Sequence, residues 1–448
     1  MLKGLSHQLL SLKVLLSHSI NYGLGSVLPQ LIGFLLIPLY TRYLTPSDYG
    51  ILEMVTTLTV FLTPLMKMGI PGAVTRFYYE YYKDSALLRN FVTTINRLLN
   101  IGAIVLSSFA LILLYILGPY LFKGIEFWPF MVLAIIMAGL SANSQLQKKL
   151  IQNRLQSRLN LILQVVFSGL NIGLTLLLVV VYGMGALGSI LASTIVTIIF
   201  YIQALFYLRD DLKGKYDREM AKEAYQYGVG ILPHHMANSS GPLITKTLLL
   251  TMGSLAILGV YSIALRFVSP LILVCTSLNT VLVPMYNKAR KEEDNEALIK
   301  LVRQVLFVSF VAFLVFNLFI PPIMKAVLPV EYHEAIPMLP ILTLAFVGRT
   351  IYHISLVEIF YEKKTRFISI ITISGLLCNI LICILFVSDF GVYALCWAYA
   401  ISFMIWAIFA YLYKRKVSDF LPFNKELSWF TAGSVFAGIL GFTVISFL

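Results

Sequence analysis

The sequence contains few charged side chains. They make up 12% of its 448 residues, whereas 59% of the residues are hydrophobic. Soluble proteins carry roughly a quarter charged residues, so a water-soluble enzyme is excluded. Four cysteines lie inside long apolar runs without paired spacing, which argues against both a disulfide framework and a zinc site. The chain also lacks a Gly-Lys-Ser/Thr phosphate-binding motif, so we do not expect it to hydrolyse ATP.

Long apolar runs make up most of the chain. A helix of about 20 predominantly apolar residues is long enough to span a bilayer. Such runs cover residues 18–40, 49–69, 91–117, 127–147, 159–182, 185–207, 226–248, 255–286, 304–321, 336–360, 367–388, 391–413 and 428–448. The pattern predicts an all-α integral membrane protein with about 13 transmembrane helices, with 12 and 14 as the limits.

Basic residues are concentrated in every second loop between these runs. Of the 34 Lys and Arg residues, 27 fall in alternate loops, whereas the opposite loops contain only Arg42, Lys123 and Lys325. Basic loops stay in the cytoplasm, so the N-terminus is predicted to be cytoplasmic. Leucines at helical spacing within residues 1–17 predict a cytoplasmic interfacial helix, with a disordered leader as the alternative. The net charge of +13 then reflects topology and the bilayer, and we expect no nucleic-acid partner.

Two halves of the sequence repeat the same features in the same order. A Tyr-Gly-x-Gly motif opens the first run at 22–25 and the seventh at 227–230, and Gly50 in the second run corresponds to Gly259 in the eighth. The repeat predicts an N-lobe at 18–207, a cytoplasmic linker at 208–225, a C-lobe at 226–413 and an additional helix at 428–448. Glycines and prolines interrupt the first and seventh runs. We expect these broken helices to border a cavity between the halves, with ordinary kinks as the alternative.

Three segments carry a family resemblance. The sequences PLYTRYLTPSDYG at 38–50, GIPGAVTRFYYE at 69–80 and LGVYSIALR at 258–266 resemble segments of polysaccharide flippases in the multidrug, oligosaccharidyl-lipid and polysaccharide exporter superfamily. The resemblance covers nearly the whole chain. It implies two pseudo-symmetric six-helix lobes that form a V around a central cavity and work by alternating access.

The resemblance also implies a function. The expected activity is export of an undecaprenyl-diphosphate-linked glycan across the bacterial inner membrane. No cofactor is expected, and an H⁺ gradient, a Na⁺ gradient or the membrane potential would drive transport. The polysaccharide polymerase machinery is an expected partner.

Apart from Lys67, which lies at the end of its run and is counted with the basic loops, six charged residues lie inside the predicted spans: Glu53, Arg97, Lys246, Arg266, Arg349 and Glu358. All but Arg266 and Arg349 lie near span ends, where they can reach the interface as anchors. Arg266 is expected about 17 Å and Arg349 about 20 Å from the span end, at 1.5 Å per residue. Both are therefore near the centre of a core about 30 Å thick.

No acid stands three or four residues from either arginine in its helix. Two such guanidiniums need an aqueous cavity or an anion, and a diphosphate is an anion that arginine binds in bidentate fashion. A structural pairing with carbonyls, or a lock between the lobes, is the alternative. The resemblance places the family's cationic residue of helix 8 at Arg266, whereas Arg349 is inferred from its depth alone.

Other polar residues complete the predicted site. Further substrate-binding candidates are Lys246, Asn238 and Asn279, although the two asparagines could instead cap a broken helix. Candidates for coupling to an ion gradient are His353, His234, Glu53 and Glu358, because imidazole and carboxyl groups can exchange protons; satisfied buried histidines are the alternative.

Two other functions are considered. A drug antiporter of the same superfamily would need a carboxylate in the cavity, but the midplane charges here are basic. A membrane glycosyltransferase or polymerase would need a large or acidic outer loop. The outer loops here are short and contain only five acids: Asp48, Glu126, Glu331, Glu334 and Asp389.

Overall fold

Helices make up every regular element of the described residues, which in this computed structural model are 33, 34, 36–252, 254–362, 366–417 and 424–446. The first helices are α1 Ile37–Tyr43, α2 Pro46–Lys67, α3 Ile70–Tyr81, α4 Ser85–Leu121, α5 Val132–Asn153, α6 Ser157–Thr175 and α7 Gly185–Leu208. The later helices are α8 Arg218–Met252, α9 Leu255–Lys291, α10 Asn295–Val327, α11 Leu339–Tyr361, α12 Arg366–Phe390, α13 Val392–Val417 and α14 Asn424–Ser446. Short π-helical segments cover Phe127–Met131 and Leu176–Val181, and 3₁₀ segments cover Asp211–Lys213 and Val330–Met338.

Eleven segments among the described residues are long and apolar enough to cross a membrane. Each segment coincides with one predicted run. Of the twelve predicted runs from 49–69 to 428–448, the run at 226–248 is the one without such a segment among the described residues. The predicted interfacial helix at 1–17 and most of the run at 18–40 lie outside the described residues. The prediction of an all-α, multi-pass membrane fold is confirmed.

The predicted interruption of the run at 226–248 is wrong. This run lies within α8, a continuous helix of 35 residues that contains Pro233 and Pro242. Each proline removes only one backbone donor, so the neighbouring hydrogen bonds can hold the helix together. The hydroxyls of Ser239 and Ser240 also donate to carbonyls of the preceding turn, at 3.1 Å and 2.7 Å. The prolines therefore lie within a helix and do not end it.

The chain forms two compact units. The N-terminal unit comprises the described part of Met1–Leu39 together with Ile51–Leu243, and the C-terminal unit comprises Tyr40–Gly50 together with the described part of Ile244–Leu448. The divisions fall inside helices α1, α2 and α8. The lobe boundaries inferred from the sequence repeat stay a prediction.

The N-terminal unit has an apolar core built from several helices. Buried residues of α3, α4, α5, α7 and α8 form it, among them Val74, Phe91 and Leu146. At its edge, the left-handed Gly69 between α2 and α3 lies directly against Gly228 of α8, so that a Cβ on either glycine would collide with the other backbone. The Tyr-Gly-x-Gly motif at 227–230 thus supplies a close helix contact through Gly228.

The 3₁₀ segment Asp211–Lys213 is held to the same unit by an ion pair. Nη2 of Arg154 lies 2.6 Å from Oδ1 of Asp211, and Nη1 of Arg154 donates to the hydroxyl of Tyr207 at 3.3 Å. Burial lowers the pKa of Arg154, but the hydrogen bonds to Asp211 and Tyr207 outweigh it and raise the pKa overall. Arg154 therefore keeps its charge and fixes the loop.

The start of α2 is capped in the C-terminal unit. The Thr45 hydroxyl donates to Oδ2 of Asp48 at 2.7 Å and accepts from the Asp48 amide at 3.2 Å, and Pro46 occupies the first helical position. This arrangement follows the logic of a capping box. The buried Tyr49 packs edge to face on Tyr332, whose hydroxyl donates to the Leu44 carbonyl at 2.8 Å. The conspicuous sequence at 38–50 thus includes a helix cap and its anchor.

The two glycines that correspond in the sequence repeat lie against each other. A Cβ added to Gly50 would collide with the carbonyl of Leu255, and one added to Gly259 would collide with the carbonyl of Pro46. Without side chains, the first turns of α2 and α9 can approach backbone to backbone. The repeat therefore marks a contact between two equivalent helix starts.

We expect the Gly259→Val substitution to destabilise the protein by about 3 kcal/mol, because the backbones of α2 and α9 would have to separate. Thermal unfolding of the purified protein in detergent measures the effect. Gly173→Val on α6 is the matched control, since a Cβ there meets no atom within 4 Å. Equal unfolding temperatures for the two variants would contradict the proposed close contact.

Candidate functional site

Helices α9 and α11 pack side by side in the C-terminal unit and run in the same direction. Sγ of Cys275 lies 4.0 Å from Oγ1 of Thr350, and further along both helices the Tyr286 hydroxyl donates to Oε2 of Glu358 at 2.5 Å. Both residue numbers rise together, which establishes the parallel direction. These pairings set the heights of the predicted site residues.

The two candidate arginines lie at different heights. Arg349 adjoins Thr350 and so lies level with Cys275, which is nine residues beyond Arg266 on α9. Nine residues correspond to about 13 Å along a helix axis. The two arginines are therefore offset along the helix axes, and their position near the centre of the membrane stays a prediction. The run at 336 starts inside the 3₁₀ segment, so counting from the ends of apolar runs does not show this offset between the two helices.

Arg349 lies against aromatic rings of α13. Its guanidinium carbon is 5.5 Å from the ring centroid of Phe403, a cation–π distance. The Phe403 ring in turn contacts Tyr399 and Trp406, with centroid distances of 5.2 Å and 4.8 Å. Arg349 is half-buried and makes no ion pair with any residue that the structure describes. We name Arg349, Tyr399, Phe403 and Trp406 the arginine–aromatic cluster.

His353 lies one helical turn beyond Arg349 at the border of this cluster. It is half-buried, and its ring centroid is 5.6 Å from that of Tyr352. Tyr352 also contacts Trp406, at 5.3 Å. The structure thus brings two of the predicted residues, Arg349 and His353, to one aromatic surface.

The other substrate-binding candidates are more widely spread. Arg266 is half-buried on α9, and Asn279 follows it by 13 residues, or about 20 Å along the helix. Lys246 is buried in α8, next to Thr245, whose hydroxyl donates to Oδ1 of Asn379 at 2.9 Å. The side chains of His234 and Asn238 lie outside the described part of the chain.

The four charges expected to act as interfacial anchors behave differently from one another. Arg97 is exposed, as expected of an anchor. Glu53 and Lys246 are instead buried, in the N-terminal and C-terminal units respectively, and Glu358 is fully buried. Anchoring at an interface is therefore wrong for these three, because neighbouring helices cover them. Their roles in binding and coupling stay predictions.

Glu358 is the centre of a buried ionic network. Its carboxylate accepts from Nη2 of Arg290 at 2.8 Å and from Nε of Arg290 at 3.3 Å, in addition to the Tyr286 hydroxyl. Glu362 lies 3.5 Å from the same Nη2 atom, and the charge of the buried Lys414 acts on Glu358. The sequence placed Arg290 and Lys414 in solvated loops, because residues so far apart in the chain give no local signal of pairing.

A groove of about 560 Å³ lies between α10 and α14. Its lining is mainly apolar and includes Leu306, Phe307 and Trp429. An ion pair at its rim joins Nη2 of Arg303 to Oε1 of Glu426 at 3.0 Å. Arg303 is largely exposed, so this pair contributes little to stability.

Comparison with solved structures identifies the fold as that of membrane transporters. The chain is similar to an inward-facing multidrug-resistance transporter of the MATE family in the MOP superfamily, with 17% identity, a TM-score of 0.68, and coverage of 90% of this chain and 96% of the other. An outward-facing structure of such a transporter matches with 16% identity, a TM-score of 0.55, and coverage of 94% and 96%. A MOP-superfamily transporter from Pyrococcus furiosus, described as having a binding pocket of reversed polarity, matches with 18% identity, a TM-score of 0.57, and coverage of 90% and 95%.

Sequence comparison then identifies the family. Residues 15–290 match the family described as "Polysaccharide biosynthesis protein", which is more than half of the chain. The chain therefore belongs to this family, and the resemblance inferred from its motifs is confirmed. No protein with a curated description matches the chain significantly.

Proposed function

We propose that this protein transports a lipid-linked oligosaccharide with a diphosphate group from one membrane leaflet to the other. The arginine–aromatic cluster is the observation that carries the proposal. It combines a half-buried guanidinium that forms no ion pair with a described residue and an aromatic surface of three side chains. Membership of the polysaccharide biosynthesis family supports the same substrate class.

The cluster has the chemistry that such a headgroup requires. A guanidinium inside a membrane protein is costly unless an anion or water accompanies it. Phosphate oxygens suit the planar fork of donors on arginine, and aromatic faces suit the apolar faces of sugar rings. Arg349 would hold the diphosphate, with Phe403 and Trp406 beside the first sugar. Arg266, about 13 Å away along α9, would meet a different part of the substrate.

Transport then requires a polar route for the headgroup alone. The sugars and the diphosphate cannot cross hydrocarbon without polar partners, whereas a prenyl tail can remain in the lipid. We propose that the headgroup enters from the cytoplasm, that the two lobes expose it alternately to each side, and that the tail follows in the bilayer. An H⁺ or Na⁺ gradient or the membrane potential would drive the cycle, with His353 as a proton-exchanging candidate.

The proposed location is the bacterial inner membrane with a cytoplasmic N-terminus. The distribution of basic loops supports this orientation. The substrate would be an undecaprenyl-diphosphate-linked glycan, which the polysaccharide polymerase machinery would receive on the outer side.

Drug export by antiport is the second candidate function, favoured by the similarity in fold to multidrug-resistance transporters. Such an antiporter would need a carboxylate that is free to exchange a cation for the drug. Glu358 is instead held by Arg290 and Tyr286, which supports the flippase proposal.

Complementation of a bacterial strain that lacks its own polysaccharide flippase tests the proposal. We expect the protein to restore surface polysaccharide and to reduce the lipid-linked glycan that accumulates on the cytoplasmic side. The composition of that glycan in a panel of null strains identifies the substrate. Unchanged accumulation in all of these strains, together with increased resistance to cationic drugs, would contradict the flippase proposal and support the antiporter.

A further inference from the structure

A polar cavity of about 290 Å³ lies inside the N-terminal unit, among helices α5, α6 and α7. Four of its twelve lining residues are carboxamides: Gln145, Gln147, Asn160 and Gln164. Polar side chains are rare in membrane-spanning helices because each needs a partner in a non-aqueous medium. Four carboxamides around one cavity therefore indicate a ligand that hydrogen-bonds.

The helical spacing explains how these side chains meet. On α5, the lining residues Ser141, Gln145 and Lys148 recur every three or four positions, and on α6 Asn160, Gln164 and Phe167 do the same. Residues at these spacings share one helix face. Polar stripes on two consecutive spans face one cavity. This spacing is a signal that the sequence contains but that the search for charged residues overlooked.

Gln147 lacks a hydrogen-bond partner in this wall. Its side chain is 3% exposed, and its Nε2 atom is fully buried without an acceptor among the described residues. A buried donor that stays unsatisfied costs about 1–3 kcal/mol. An acceptor supplied by a ligand would remove that cost.

Two lysines lie in the same region. Lys148 lines the cavity, and Lys67 at the end of α2 is 9% exposed and feels the charge of Lys148. Neither lysine forms an ion pair or side-chain hydrogen bond with a described residue. Two like charges in a poorly solvated place repel each other, and an anion between them would be attracted to both.

An aromatic pair completes the cavity. Phe167 of α6 and Phe200 of α7 both line it, with ring centroids 4.9 Å apart and an interplanar angle of 83°. Edge-to-face rings form an apolar patch next to the carboxamides. A ring with hydroxyls at its rim and C–H groups on its faces matches this combination.

We propose that this cavity, which we name the amide pocket, binds a phosphorylated sugar: its carboxamides would bond the sugar hydroxyls, and Lys67 and Lys148 would face the phosphate. This inference rests on the proposed function and adds to it a sugar-binding site within the N-terminal unit. The volume lies at the lower limit for small-molecule sites, so the pocket would hold a single sugar unit and not a long glycan.

Binding to the full-length protein in lipid nanodiscs tests the amide pocket. The probes are farnesyl-diphosphate-linked N-acetylglucosamine and farnesyl diphosphate without the sugar, titrated by calorimetry. We expect Gln147→Leu and Gln164→Leu each to weaken binding of the sugar-bearing probe about tenfold, because one buried hydrogen bond is lost. Neither should change the affinity for farnesyl diphosphate. Lys148→Gln and Lys67→Gln should weaken both probes.

Matched controls separate the pocket from general effects. Gln203→Leu removes a carboxamide of α7 that does not line the cavity, and Lys149→Gln removes the charge next to Lys148 in the sequence. Both variants should bind the probes as the unmodified protein does. Size-exclusion profiles identify any variant that fails to fold, and the two glutamine variants test the sugar contact independently.

The outcomes distinguish the pocket from the proposed function. If the sugar-bearing probe binds but the two glutamine and two lysine variants match their controls, the proposal that the amide pocket binds the sugar is wrong and the flippase proposal stands. If the unmodified protein binds neither probe, both proposals are wrong. If the glutamine variants lose affinity for both probes equally, the proposed hydrogen bonds between the carboxamides and the sugar hydroxyls are wrong.

Discussion

Replacing Arg349 with alanine is expected to lower transport of the lipid-linked glycan about a hundredfold, with the protein still present in the membrane. Truncating one member of a desolvated charge pair costs 2–5 kcal/mol, and a factor of one hundred corresponds to about 2.7 kcal/mol. Arg349 is only half-buried and forms no ion pair with a described residue, so its loss should leave the fold intact. Surface polysaccharide in a complemented null strain, normalised to protein in the membrane fraction, measures the effect.

Two further variants make this test specific. Arg349→Lys keeps the charge but loses the bidentate geometry, and should retain part of the activity. Arg303→Ala removes an exposed arginine at the rim of the α10–α14 groove and should leave display unchanged. Full display by Arg349→Ala would refute a role for the arginine–aromatic cluster in holding the headgroup.

The Glu358→Ala substitution is expected to destabilise the protein by about 3–5 kcal/mol, the typical result of removing one partner of a buried ion pair. The carboxylate is fully buried and accepts from both Arg290 and Tyr286. Its removal would take the nearer carboxylate from Arg290, which keeps Glu362 at 3.5 Å, and would remove a negative charge that acts on the buried Lys414. A lower unfolding temperature in detergent and lower yield are the measurements.

Glu362→Ala provides the matched control for Glu358. Glu362 lies 3.5 Å from the same Arg290 nitrogen but is partly exposed, so its removal should cost less than about 1 kcal/mol. Glu358→Gln should fall between the two alanine variants, because it keeps an acceptor but loses the charge. Equal stability of Glu358→Ala and Glu362→Ala would show that the network does not stabilise the fold.

The fold could largely be predicted from the sequence because apolar length is a local property. Each of the eleven membrane-length segments appears as an uninterrupted apolar run, and its ends agree with the structure within a few turns. The failure at α8 has an equally local cause. Glycine and proline lower helix propensity, but hydrogen bonds on either side of Pro233 and Pro242 keep the helix continuous.

The candidate site was only partly predictable. Arg349 and His353 share a helix face four residues apart, and the structure brings both to the aromatic surface. The Phe403 ring of α13, which lies against Arg349, comes from a residue more than 50 positions away, and no spacing rule relates the two. The offset between Arg266 and Arg349 was also not predictable, because the sequence does not show how α9 and α11 are placed along each other.

Charges near span ends show the same limit. Lys67, Lys148, Arg290 and Lys414 were all counted as basic loop residues, which was sufficient for predicting orientation. Lys67 and Lys414 are instead buried, Lys148 lines a cavity, and Arg290 pairs with Glu358. Whether such a residue faces water or a neighbouring helix depends on contacts between distant segments.

The sequence by itself determined that this is a multi-pass helical membrane protein, through its low content of charged residues and its long apolar runs. Its motifs indicated the family. Both properties depend on residues that are consecutive in the chain, because a bilayer requires a certain length of apolar helix and the family is recognised by short segments. Tertiary structure alone decided which polar residues lie together in the arginine–aromatic cluster and in the Glu358 network. Both join helices that are separated in the chain, and only packing sets the rotation and relative height of those helices.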